Sequence, residues 1–280
     1  MFRVVSLVLA VSGLGLVSSA WADEGEDRAA AIVEKLGGRV TRDDKAPGKP
    51  VVGVSFANKA ALKVGNADLK ELAALKNLTT LSLRGTSVTD AGLKELAPLK
   101  GLATLDLSDT RVTGSELKEL APLKDLTTLS LDRSQVTDEG LKTLREINLL
   151  HALSCVESIF GPGGATTADG KRPRKAEDVV AVDLIQTRVT NEGLKELAAF
   201  KNLTTLSLSE TLVTDAGMKD LAALKNLTTL RLASTKVGDA GVKELAALKS
   251  LTTLDLRSTN VTDATLKELQ QALPKCKIRK

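Results

Sequence analysis

The chain has no tyrosine, one tryptophan, one histidine and two cysteines in 280 residues. Each scarcity closes off a class of function. A Ser/His/Asp or Cys/His catalytic site would have to use His151, and that histidine reads as an ordinary residue at a strand edge. One histidine and two scattered cysteines offer no metal-ligand spacing. Trp21 lies in the N-terminal leader, so the remainder lacks the Trp and Tyr anchors on which strong protein-binding surfaces usually rest. The formal charge of +4 is modest for this length. It does not point to nucleic acid, whose partners gather basic residues on one face. No run beyond the leader is long and apolar enough to suggest a membrane span.

The leader itself is distinct. Arg3 precedes the apolar run VVSLVLAVSGLGLVSS, then Ala20-Trp21-Ala22, then the acidic DEGED. A positive start, a short apolar core and an AxA end describe a secretory signal peptide over residues 1–22, cleaved after Ala22. The expected mature chain is exported, periplasmic or extracellular, without an integral membrane segment.

What is abundant is leucine at fixed intervals. Leu78, Leu102 and Leu126 stand 24 apart, as do Leu203, Leu227 and Leu251. Val51, Leu150 and Val179 open further copies, giving nine, the fifth degenerate. A half-copy, KCKI, starts at Lys275. Inside one copy, Leu81 and Leu83 alternate as in a strand, while Leu93, Leu96 and Leu99 recur every third residue, as in a short helix. The Thr-Asp pairs at Thr89-Asp90, Thr137-Asp138, Thr214-Asp215 and Thr262-Asp263 stand where helix N-caps are wanted. One copy cannot cover its own apolar face, so neighbours must stack, over roughly 43 Å at strand spacing.

The unit LxxLxLxxN/CxL followed by a helix resembles the leucine-rich repeat over residues 51–280, with the VTDAGLKEL half similar to the ribonuclease-inhibitor style and the whole similar to bacterial exported proteins. The resemblance implies an α/β solenoid, a horseshoe with a parallel β-sheet on its concave face and short helices on its convex face. One departure is plain. The family's Asn ladder position holds Thr86, Thr110, Ser134, Thr187, Thr211, Thr235 and Thr259, whose hydroxyls are expected to bond a neighbouring loop's backbone. On this layout residues 23–50 form an N-terminal cap, 51–149 hold copies 1–4, 150–178 a seam, 179–274 copies 6–9, and 275–280 the closing half-copy. The seam admits two readings, a second cap trapped mid-array or a drifted copy with an insertion, and the second is the plainer. Cys155 and Cys276 fall five copies apart, roughly 24 Å by strand spacing, so no disulfide is expected and both read as buried small apolar residues.

Other motifs have simple readings. GPGG at 161–164 lacks the Lys-Ser/Thr pair of a phosphate loop, and KRPRK at 171–175 reads as a solvated loop with a minor prospect of a polyanion contact. The sequons at Asn77, Asn202, Asn226 and Asn260 matter only in a eukaryotic secretory route. The concave face is left as the candidate surface. Its outward positions are mostly Ser and Thr, interrupted by Arg84, Asp106, Asp132, Asp183, Arg231, Asp255 and Arg257. The expected function is a non-catalytic scaffold that binds protein through this face, as a monomer, with no cofactor, no metal and no nucleic acid. The rival is an envelope spacer without a specific ligand. A hydrolytic enzyme is the remote alternative.

Overall fold

The computed structural model describes residues 24–56, 63–155 and 164–280. The leader with its cleavage point, and the glycines of the 161–163 stretch, lie outside the described residues.

The chain opens with helix α1 (Glu24–Lys35), which buries Ala29, Ala30 and Val33. Gly37 stops it at φ 83°, a left-handed turn that glycine adopts freely. Strand β1 (Arg39–Arg42) then runs antiparallel to β2 (Val51–Ser55). The Glu26 carboxylate accepts from the Val51 N–H at 2.9 Å and from Arg42 at 3.4 Å, tying the helix to the hairpin.

From β2 the sheet is parallel. β3 (Thr80–Ser82), β4 (Thr104–Asp106), β5 (Thr128–Leu131) and β6 (Leu153–Cys155) follow in chain order. Thr80 pairs with Thr104 and Thr104 with Thr128, so the 24-residue period becomes the sheet register. Within a copy, Leu78, Leu81, Leu83, Val88, Leu93, Leu96 and Leu99 are all fully buried. The return path is tight. Leucines three apart share one face of a 3-10 helix, and Asp90–Leu96 and Leu117–Leu120 are such turns. A true α-helix, α2 (Asp138–Glu146), appears in the fourth copy.

A second six-stranded sheet follows: β7 (Gly164–Thr166), β8 (Ala181–Asp183), β9 (Thr205–Ser207), β10 (Thr229–Arg231), β11 (Thr253–Asp255) and β12 (Lys277–Arg279). Helices α3 (Asn191–Glu196), α4 (Met218–Leu221), α5 (Asp239–Glu244) and α6 (Asp263–Ala272) lie on its return paths. The single parallel sheet of the sequence reading is therefore two sheets, and each opens with one antiparallel strand. β7 runs against β8 as β1 runs against β2, and five parallel strands follow in each case.

The seam joins the sheets asymmetrically. On the strand side β7 backs onto β6, with Gly164 at φ 94° and no room for a side chain: a Cβ there would lie 2.2 Å from the Leu153 carbonyl oxygen. Arg172 pins the pair, donating to Ser154 Oγ at 2.7 Å. On the helix side the fifth copy is skipped. The Arg188 N–H donates to the Val136 carbonyl, and Arg145 pairs with Glu196. The strand layer thus gains width where the helix layer gains none.

What bonds copy to copy differs from the sequence reading. As donors the ladder threonines do not reach a neighbour, although Thr110 Oγ1 accepts from the Gln135 amide at 3.4 Å. Thr86, Thr110, Thr187, Thr211, Thr235 and Thr259 each donate to the leucine carbonyl three residues back in their own copy, at 2.5–2.8 Å. The threonine side chain is too short to cross and closes a local turn instead. The crossing is made one turn later, by the residue read as a helix-start aspartate. Asp90 accepts from the N–H groups of Thr113 and Gly114 at 3.0 and 3.1 Å. Asp239 takes the Thr262 N–H at 2.7 Å, and this bond holds its carboxyl below the usual range. Asn66 and Asn191 do the same for Thr89 and Thr214 at 2.9 Å. Asp138 carries the ladder across the seam to Thr190 and Gly193, at 2.9 and 3.0 Å.

This ladder explains the glycine of each DAG, NEG or NAD-following copy. A Cβ on Gly92, Gly193, Gly217 or Gly241 would sit 2.4–2.6 Å from the Asn or Asp oxygen of the preceding copy. Here glycine provides room for a neighbour's side chain.

Candidate functional site

Strand alternation sends every second side chain out of the leucine core onto the sheet face. Because the strands are parallel and in register, outward residues 24 apart form straight rows. Across β8 to β12 one row reads Asp183, Ser207, Arg231, Asp255, Arg279. Across β2 to β6 the matching row reads Ser55, Ser82, Asp106, Ser130, Ser154.

Four of the seven expected residues meet. Asp183, Arg231, Asp255 and Arg257 line one hollow of about 480 Å³, with Ile185, Ser209, Glu210, Ala233 and Arg279. The other three stand on the first sheet and are occupied with their neighbours. Arg84 pairs with Asp109 at 2.9 Å. Asp106 accepts from the Ser108 N–H at 3.0 Å, and Asp132 from the Asp109 N–H at 2.7 Å.

Inside the hollow the charges are not equivalent. Asp255 is only 4% exposed, and Arg257 grips it through Nη2 to Oδ2 at 2.6 Å and Nε to Oδ1 at 2.9 Å. That guanidinium holds the Asp255 carboxyl below its ordinary range, with Arg279 adding a further positive field. Asp183 accepts from the Ile185 N–H at 3.0 Å, and Glu210 from the Gln186 amide at 2.7 Å. Arg231 bonds only a neutral group, Ser207 Oγ at 3.0 Å. Two exposed guanidiniums, Arg231 and Arg279, therefore flank a neutralised Asp255–Arg257 pair, with the carboxylates of Asp183 and Glu210 also on the hollow. Such a hollow can take a carboxylate or phosphate in two forks.

Arg279 escaped the sequence reading, because the closing half-copy was treated as a cap. Its signal was the period: 255 plus 24 is 279.

The remaining chemical candidates resolve simply. His151 is 7% exposed, in the 3-10 turn Leu150–Ala152, and not at a strand edge. Its ring meets backbone at Leu126 and Asn148, and burial pushes its pKa down. Cys276 is a buried free thiol, pushed up by that burial, while the side chain of Cys155 lies outside the described residues. Among the described residues no group of His, Cys, Asp and Glu is arranged to hold a metal ion, and no helix is long and apolar enough to cross a membrane.

The Leucine Rich repeat family model matches residues 74–97, 123–144, 223–246 and 247–269. These segments fall in both sheets' parts of the array described above, the last two on adjoining turns. The chain carries leucine-rich repeats. Comparison with curated proteins found no match. Among solved structures, this leucine-rich-repeat chain is similar to internalin C2 of Listeria monocytogenes, at 22% identity and a TM-score of 0.44, over 91% of this chain and 93% of that one. A second internalin of that bacterium, inlF, is 17% identical with a TM-score of 0.40, over 90% and 94%. A leucine-rich-repeat protein of Leptospira interrogans is 21% identical with a TM-score of 0.34, over 75% and 68%.

Proposed function

We propose that this leucine-rich-repeat protein is an exported, non-catalytic scaffold that binds a protein partner in the hollow of its second sheet. The observation that carries the reading is the pair Arg231 and Arg279, exposed in one row on either side of an Asp255 already neutralised by Arg257. Rigid parallel strands fix the backbone positions of these arginines, so binding has only their side chains to order. An acidic side chain or a chain-terminal carboxylate supplies the complementary group. Without an aromatic anchor the affinity is modest and salt-sensitive. Export rests on the Arg3, apolar core and AxA order of the leader.

The test uses the mature chain against a displayed library of short random peptides. Wild type enriches peptides with acidic residues or acidic C-termini, and added salt weakens their binding. Arg231→Ser with Arg279→Ser abolishes the enrichment and leaves the fold intact, since neither side chain enters the leucine core. The helix-side set Lys94→Ser, Glu95→Ser, Lys195→Ser and Glu196→Ser leaves it unchanged. Enrichment that survives the first pair and is lost in the second set places the working surface on the helices and favours the spacer reading.

A further inference from the structure

The turns that lead into the strands carry charge of one sign. Lys76, Lys100, Lys124, Lys201, Lys225 and Lys249 each stand two residues before the leucine that opens a copy, and all six are exposed. Register puts these six in file along one rim of the solenoid, one in each of six copies, while the fifth and sixth copies hold Asn148 and Glu177 at that position. The seam continues the file with exposed Arg174 and Lys175. On these turns the carboxylates are Asp125, Glu177 and Asp178, three against the eight cations just named. The opposite rim, where the strands end, carries the aspartate ladder. That rim carries cations as well, Arg111 and Lys236 among them, so what sets the lysine rim apart is the recurrence of a cation at one position of the copy.

The rim is hollowed at two places, and cations border both. At the seam, Lys124, Arg174 and Lys175 edge a notch of about 300 Å³ over Leu149, Leu150 and Ala176. Further along, Lys201 and Lys225 edge one of about 230 Å³ over Phe200, Leu203 and Leu224. Each hollow pairs an apolar floor with a cationic lip. Part of the lysine recurrence serves the fold: Lys225 and Lys249 each donate to a carbonyl of the next copy, at 3.5 and 3.2 Å. An ammonium has three donors, so each retains others for a ligand.

We infer that this rim is a second binding surface, for a linear acidic polysaccharide lying along the solenoid axis. A uronate-type chain repeats one anionic group per ring, matching the cations that recur along the two runs Lys76, Lys100, Lys124 and Lys201, Lys225, Lys249, and each ring has a C–H face to rest on an apolar floor. A lipid surface fits less well. The rim's aromatic residue, Phe200, is buried, and among the described residues no large apolar side chain protrudes there to insert; the exposed Leu212, 52% accessible, follows a strand on the other side.

The experiment measures binding of the mature chain to polygalacturonate by calorimetry at low and physiological salt, with mixed phosphatidylcholine–phosphatidylglycerol vesicles in parallel. Binding to the polymer should weaken as salt rises. Lys124→Gln, Arg174→Gln and Lys175→Gln together should lower affinity about tenfold or more, as three exposed ion contacts are removed. Arg111→Gln with Lys236→Gln, on the opposite rim, should leave it unchanged. Arg172 is left in place because it ties β6 to β7. Matching circular dichroism spectra and melting temperatures show that each variant folds. Failure to bind the polymer, equal loss in both variants, or binding to the vesicles alone would overturn the inference. The concave hollow is untouched by either variant, so peptide enrichment there reports on the other surface independently.

Discussion

Gly193→Ala sets two effects against each other, and the structure decides between them. Gly193 lies in α3, where alanine should favour the helix by about 1 kcal/mol. Its φ is not left-handed, so the backbone raises no objection. But a Cβ at this position would lie 2.4 Å from Asp138 Oδ1 and 3.0 Å from Val189 Cγ1. The carboxylate must swing away. It then loses the Thr190 and Gly193 N–H groups and the Thr190 hydroxyl. Charge-assisted bonds of this kind contribute about 1.5–3 kcal/mol each when both partners are buried, and less at a half-buried site, so a loss of about 2–4 kcal/mol is reasonable. The net expectation is destabilisation by about 1–3 kcal/mol, concentrated where the two halves of the array meet. Urea unfolding of the mature chain, followed by circular dichroism, measures it as a lower midpoint. The decisive comparison is a double-mutant cycle with Asp138→Ala. In that background there is no carboxylate to displace, and Gly193→Ala should be close to neutral, the Val189 contact offsetting part of the helical gain. If Gly193→Ala stabilises the wild-type chain, or costs the same in both backgrounds, the glycine is not there to make room for Asp138.

His151 is the only histidine, so its imidazole signal in a proton NMR titration is unambiguous. Burial lowers its pKa, so the midpoint should fall below the ordinary histidine value. The unfolded chain then takes up the proton first. The histidine's contribution to stability is complete above the ordinary value and declines as pH falls through it, a loss that His151→Gln should reduce; a midpoint at or above the ordinary value would refute this. Trypsin should cut first in the exposed stretch around Lys171, Arg174 and Lys175, with the Arg172–Pro173 bond resistant, as mass spectrometry of early fragments can show. First cuts within 203–260 would mean that the seam is the better-packed part. N-terminal sequencing of the exported protein should begin at Asp23; a mature form that keeps Met1 would remove the export reading.

Much of this protein was legible before any coordinates. The 24-residue period, the LxxLxL strand and the three-residue leucine spacing are local patterns, and burial follows them because only one face of each copy can meet its neighbours. Leu81, Leu93 and Leu99 are fully buried for that reason. The outward positions were legible by the same alternation, which is why Asp183, Arg231, Asp255 and Arg257 could be named. What only the tertiary structure decided concerns directions between copies. A repeat length says that position 90 lies beside position 114, but not which side chain crosses the gap. The structure gives that work to Asp90, Asp138 and Asp239, and keeps the Thr86 series within its own copies. A period also counts strands without orienting them, so the antiparallel run of β7 against β8 could not be read from the repeat, and the sequence left a trapped cap and a drifted copy as alternatives there. The one-sided file of lysines was hidden for a related reason. Net charge sums over the whole chain, whereas the path of the backbone brings lysines 24 residues apart onto one rim.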